Sequence, residues 1–108
     1  MVVKLKNNAS AIIPNVVEAS HTEITVAANT GSVFPTLTAG DYFYATIFSV
    51  DNDYEIVKVT ARTGDVLTIV RAQESTLALL FPRNSQIALR VTVQNIQSVI
   101  DDLNFLLL

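Results

Sequence analysis

Apolar and polar residues alternate with a period of two through most of the chain, and only the last stretch changes period. Val3 and Leu5 oppose Lys4 and Lys6, which predicts a short strand over residues 2–6 at a sheet edge, where lysines discourage pairing. Ala11-Ile12-Ile13 is a brief extended segment that Pro14 stops by removing a ladder donor. Thr22 to Ala27 alternates again, with Ile24 and Val26 inward and Glu23 and Thr25 outward. Asp41 to Val50 is dense in aromatic and β-branched residues. Tyr42, Tyr44, Phe48 and Val50 share one face and Phe43, Ala45 and Ile47 the other, so this strand is expected to be central and covered on both sides. Asp51-Asn52-Asp53 has hairpin-turn chemistry, and the chain returns from Tyr54 to Arg62 with Val57, Val59 and Ala61 on one face. Thr63-Gly64-Asp65 turns once more into a strand from Val66 to Arg71, completing an antiparallel meander. Leu77 to Phe81 fits a strand or a helical turn equally, and Gln86 to Val91 alternates a last time.

The period then changes. Val93, Ile96, Ile100, Leu103 and Leu107 are spaced three, four, three and four apart, the a/d seam of a helix that packs on others of its kind. Thr92 is placed to cap its N-terminus. A helix of two heptads does not hold in isolation, because nucleation costs more than so few turns return. Phe105, Leu106 and Leu108 lie off the seam and make this end apolar nearly all round.

Seven short strands and one late helix predict a mainly β fold, a small antiparallel β-sandwich or barrel with a C-terminal α-helix. Residues 1–20 read as an N-terminal arm or edge strand, 21–92 as the antiparallel β domain and 93–108 as an oligomerisation helix. The 108 residues suit one domain, half of them hydrophobic and only 16% charged, a balance that favours buried subunit contacts. Net charge is −3 with scattered Lys and Arg, so there is no basic stripe for nucleic acid. No apolar run approaches a membrane span, and charges inside the N-terminal apolar run argue against a signal peptide. A soluble, unexported protein without nucleic-acid or membrane partners is the expectation. Cysteine is absent, which removes disulfides, thiolate nucleophiles and zinc-finger spacing.

Candidate chemistry is sparse. His21, the sole histidine, lies in a polar loop without a recognisable triad. Asp51, Asp53 and Glu55 offer oxygen ligands, but the loop is much shorter than the roughly 12 residues of an EF-hand and lacks its glycine. Asp101 and Asp102 point apart on a helix, which suits a solvated face or a salt bridge to a neighbouring subunit better than acid–base work. Tyr42 and Tyr44 are candidates for an interface or for sugar stacking, which keeps a carbohydrate-binding β module as a competing reading. No catalytic residue, cofactor site or metal site is expected.

The ordered series Phe34-Pro35-Thr36-Leu37-Thr38-Ala39-Gly40-Asp41-Tyr42-Phe43-Tyr44-Ala45-Thr46, Tyr54 to Asp65, Leu67 to Glu74 and Leu89-Arg90-Val91-Thr92 resembles a module of tailed-bacteriophage virion proteins. That module occurs at the N-termini of tail-fibre-like proteins and in short stand-alone decoration-type proteins. The resemblance covers roughly residues 20–95. It departs after the third meander strand, where the family usually reads Arg-Gly-Gln-Glu-Gly and this chain carries Ala72 and Ser75 in place of the glycines. The resemblance implies a non-enzymatic structural role on a phage particle, made in the bacterial host cytoplasm, commonly as a homotrimer bound to the major capsid protein or to tail proteins. Long fibres continue beyond such a module into a shaft and tip. The end at Leu108 therefore favours a capsid decoration (cement) protein over a tail-fibre or tail adaptor.

Overall fold

The computed structural model describes residues 2–107, with side chains through Phe105. It contains six strands: β1 (Ser10–Ile13), β2 (Glu23–Thr25), β3 (Phe43–Phe48), β4 (Tyr54–Thr63), β5 (Val66–Gln73) and β6 (Ser85–Ala88). A 3-10 turn (Gly31–Val33) follows β2, and helix α1 (Val93–Leu107) follows β6. All strand pairs are antiparallel, in the spatial order β1-β6-β3-β4-β5-β2. The two outer strands approach each other where the Ala27 amide donates to the Ile12 carbonyl at 2.9 Å. The sheet is thus a nearly closed barrel, as the mainly β pattern with one terminal helix predicts.

The interior is filled by one face of each strand. Phe43, Ala45 and Ile47 of β3 are buried with Val57 and Val59 of β4, Leu67 and Ile69 of β5, and Ile87 of β6. Phe34 stacks on Phe43 with centroids 5.8 Å apart, and Phe81 plugs the same core. The meander β3-β4-β5 and the central position of β3 follow the alternation. Val59 and Ala61 do not stay in phase, because register shifts between Ile56 and Lys58 and between Val59 and Ala61 turn Ala61 out to solvent. Ala9, Ala11, Ile13 and Val17 lie in this core too, so β1 is an edge strand built into the barrel.

Two segments differ from the pattern. Residues 2–6 form no strand; Val3 makes only an isolated parallel bridge to Tyr42, with Lys4 N–H donating to the Tyr42 carbonyl and Tyr42 N–H to the Val2 carbonyl. Pairing stops there because the next outward-facing backbone groups of β3, at Tyr44, are taken by α1. Leu77 to Leu80 is neither strand nor helix but an irregular run that ends in an isolated bridge between Phe81 and Val17.

Candidate functional site

Helix α1 forms where the heptad spacing places it, and Thr92 caps it, its Oγ1 accepting from the Asn95 amide at 3.0 Å. A second cap comes from Glu74, whose Oε1 accepts from the Gln94 amide at 3.1 Å. The carboxylate also sits where the helix dipole favours negative charge. The side of the helix that meets the barrel is the polar one. Asn95 and Ser98 are each only 3% exposed, and Asp102 is half-buried. Their spacing of three and four makes a continuous stripe along one side of the helix.

Backbone accounting explains the stripe. Strand β3 pairs with β6 through Thr46, Ile47 and Phe48, and β6 then leaves the sheet, so Tyr44 faces that side with an amide and a carbonyl unpaired. The Asn95 carboxamide fills the gap. The Tyr44 amide donates to Asn95 Oδ1 at 3.0 Å, and Asn95 Nδ2 donates to the Tyr44 carbonyl at 3.0 Å and to the Arg90 carbonyl at 2.9 Å. A helix side chain thus stands in for a strand residue. Two turns further, Asp102 Oδ2 accepts from the Val3 amide at 3.2 Å and ties the N-terminal segment to the helix. An apolar side chain could satisfy none of these groups, and buried backbone polar groups left unpaired are costly.

The heptad seam is consequently turned away from the barrel. Val93 is 78% exposed, Ile96 50%, Ile100 45% and Leu103 54%, with Val99 exposed beside them; Phe105 is exposed too, but on the far side of the helix, one heptad beyond Ser98. The Leu107 side chain lies outside the described residues. At roughly 150–200 Å² for a fully exposed large apolar residue, these fractions leave about 450 Å² of contiguous apolar seam open, in the upper part of the range that the largest patch on a monomer usually shows.

The other candidates are accounted for locally. Tyr44 is buried under α1 and its phenol is pushed above its usual range, first by burial and then by the nearby Tyr42 and Glu74. It offers no face for a sugar. Tyr42 is half-buried, packs edge-on against Tyr44 and carries the Lys58 ammonium 4.5 Å from its ring centre, so its exposed face is already in use. His21 Nδ1 accepts from the Glu18 amide, and its Nε2 is 3.7 Å from the Glu18 carboxylate, in an exposed loop. Asp101 accepts from Gln97 on the solvent side, whereas Asp102 faces inward and holds Val3. The expectation of a solvated face or an intersubunit salt bridge fails for Asp102, because it lies on the stripe that meets the barrel, whereas Asp101 is exposed.

Glu55 belongs to no cation site with Asp51 and Asp53. It is fully buried, and its two oxygens accept from Arg71 Nε and Nη2, both at 2.8 Å, and from the amides of Ala72 and Leu79, both at 2.9 Å. Burial pushes its carboxyl up, but the Arg71 fork and the two amides outweigh this and hold it below the usual range. Arg71 also donates to the carbonyls of Glu18, His21 and Leu79, which uses every N–H of its guanidinium. The alternation singled out Glu55 as a carboxylate, but nothing in the sequence paired it with Arg71. Among the described residues no cluster of three metal-ligating side chains exists.

The loop that follows Arg71 is conformationally unusual. Ala72, Glu74 and Ser75 have φ values of 56°, 51° and 66°, the left-handed region that disfavours side chains. No helix among the described residues is long and apolar enough to cross a membrane. Comparison with protein-family models and with curated proteins gives no match for the chain.

Proposed function

We propose that this chain is a non-enzymatic structural subunit that assembles with its own copies through α1. Its working form in this reading is a homotrimer that decorates a phage capsid. The observation that carries the proposal is the orientation of α1, polar stripe on the barrel and apolar seam in solvent. A helix that served only to complete its own domain would bury the seam and expose Asn95, Ser98 and Asp102. The left-handed backbone at Ala72 and Ser75, where the resembling modules have glycine, supports the virion part of the reading. Binding in this role needs no covalent chemistry, because many modest contacts on a repetitive shell add through multivalency.

Sedimentation velocity and light scattering test the assembly step. The wild-type chain is expected at three times its monomer mass, and Ile100→Asp is expected to run as a folded monomer, since the seam is exposed and the barrel does not depend on it. A wild-type monomer at high concentration would overturn the proposal. Copy number in purified virions, measured against the major capsid protein, tests the location. Hundreds of copies fit decoration, a handful moves the chain to a tail or fibre-adaptor role, and none removes the virion reading.

A further inference from the structure

The seam continues on one side into a groove. Between α1 and residues 5–8 lies a cavity of about 330 Å³, with Leu5, Leu89, Val91, Ile96 and Val99 as its apolar lining. Ile96 belongs to both, so seam and groove are one continuous apolar surface. Lys6 and Arg90 also line the groove, the latter with its guanidinium 4.2 Å from the Phe48 ring centre. The opposite flank of α1 carries Gln94, Gln97, Asp101 and Asn104, and there is no basic residue from Val91 to the end of the helix.

We infer that the groove receives α1 of a second copy, so that each helix lies with seam side chains in the next copy's groove and the flank carrying Asp101 toward that copy's Lys6 and Arg90. This rests on the self-association proposed above and specifies its geometry. Three features commit the groove to this occupant. The first is charge, since a basic margin meets a helix with no basic residue. The second is continuity with the seam. The third is area. The seam with Val99 exposes about 450 Å², well short of the roughly 800 Å² per partner of a stable interface. Leu5 and Val91, 52% and 85% exposed, add about 200 Å² and bring the surface much nearer to that size. The contact joins a groove on one copy to a helix flank on the next. Made head to tail, such a contact closes as a ring of three or more, the arrangement the proposed homotrimer needs; made reciprocally, it closes as a two-fold dimer, and the mass in solution tells the two apart.

The flank placed toward Lys6 of the next copy carries Gln97, which brings Gln97 of one copy toward Leu5 of the next. Leu5→Glu in the full chain tests the groove. Leu5 lies outside the helix and half in solvent, so the variant is expected to keep its circular dichroism spectrum and melting temperature while assembly weakens at least tenfold in sedimentation. The absence of cysteine permits a second measurement. Leu5→Cys chains mixed with Gln97→Cys chains are expected to form the mixed disulfide in preference to either homodisulfide. Unchanged assembly of Leu5→Glu beside a monomeric Ile100→Asp would show that the seam alone assembles the chain, and would overturn the groove assignment. Dominant homodisulfides would mean that like residues face each other, not groove against helix, and would overturn it as well. A wild-type chain that stays monomeric would remove the self-association itself.

Discussion

Replacing Asn95 with alanine removes the group that lets a helix finish a β-strand. The carboxamide makes three hydrogen bonds to backbone, two of them to Tyr44 and all within 3.0 Å, at a residue only 3% exposed. At about 1 kcal/mol net for each bond, the direct loss is about 3 kcal/mol. The buried Tyr44 amide and carbonyl are then left without partners, which raises the cost unless water enters the gap. Alanine returns roughly 0.5 kcal/mol through better helix propensity. The expected destabilisation is therefore about 2–3 kcal/mol, a fall in melting temperature on the order of 10–20 °C for a domain of this size. Thermal and urea unfolding followed by circular dichroism measure it, with Gln97→Ala on the solvent side as a control that should shift little. Hydrogen exchange adds a local readout, since the Tyr44 amide should lose protection while Val57 and Val59 in the barrel keep theirs. A loss below about 0.5 kcal/mol, or a Tyr44 amide that exchanges as slowly as before, would refute the claim that Asn95 completes β3.

Further outcomes follow from other parts of the fold. Glu55 has a carboxyl held below its ordinary value of 4.5, so its contribution to stability is fully present above that value and is lost as pH falls through the folded one. Melting temperature should therefore drop steeply below pH 4.5, with Asp41, lowered by the Thr38 hydroxyl and amide, and Asp65, lowered by the Gly31 and Asn29 amides, acting in the same direction. Glu55→Gln should cost about 3–5 kcal/mol at neutral pH, because it leaves the Arg71 guanidinium without its counter-charge, and should flatten the acid limb; an unchanged limb would place the titration elsewhere. Ala72→Gly and Ser75→Gly should each stabilise by up to about 1 kcal/mol, the left-handed penalty of about 1–2 less glycine's entropy cost of about 0.5–1. Urea midpoints check this, and a loss of stability would mean that the side chains contribute contacts beyond the backbone. Gly31→Ala should destabilise by about 3 kcal/mol or unfold the chain, since a Cβ there would overlap the Gly64 carbonyl and displace the turn that Asp65 holds through the Asn29 and Gly31 amides.

Much of the architecture was legible without coordinates because period-two alternation is a local property. The two faces of β3, the two meander turns and the capped terminal helix can each be read within a window of ten residues or so. What failed is what a single extra residue or a distant partner controls. The bulges in β4 move Ala61 to solvent, and residues 2–6 alternate like a strand yet find only Tyr42 free to pair with. Glu55 and Arg71 are sixteen residues apart on neighbouring strands, and no local pattern announces that one neutralises the other.

The division is clearest in α1. The sequence by itself determined that residues 93–107 form a helix, that it begins at Thr92 and that it carries an apolar seam, since these depend on spacing and capping alone. It also contains a second stripe, Asn95, Ser98 and Asp102, at equally helical spacing, and nothing local ranks the two. Only the tertiary structure decided which stripe meets the barrel. Strand β6 leaves the sheet before Tyr44, the exposed β3 backbone needs a donor and an acceptor at one point, and a carboxamide supplies both where an isoleucine supplies neither. Backbone hydrogen bonding inside the domain thereby turns the apolar seam outward.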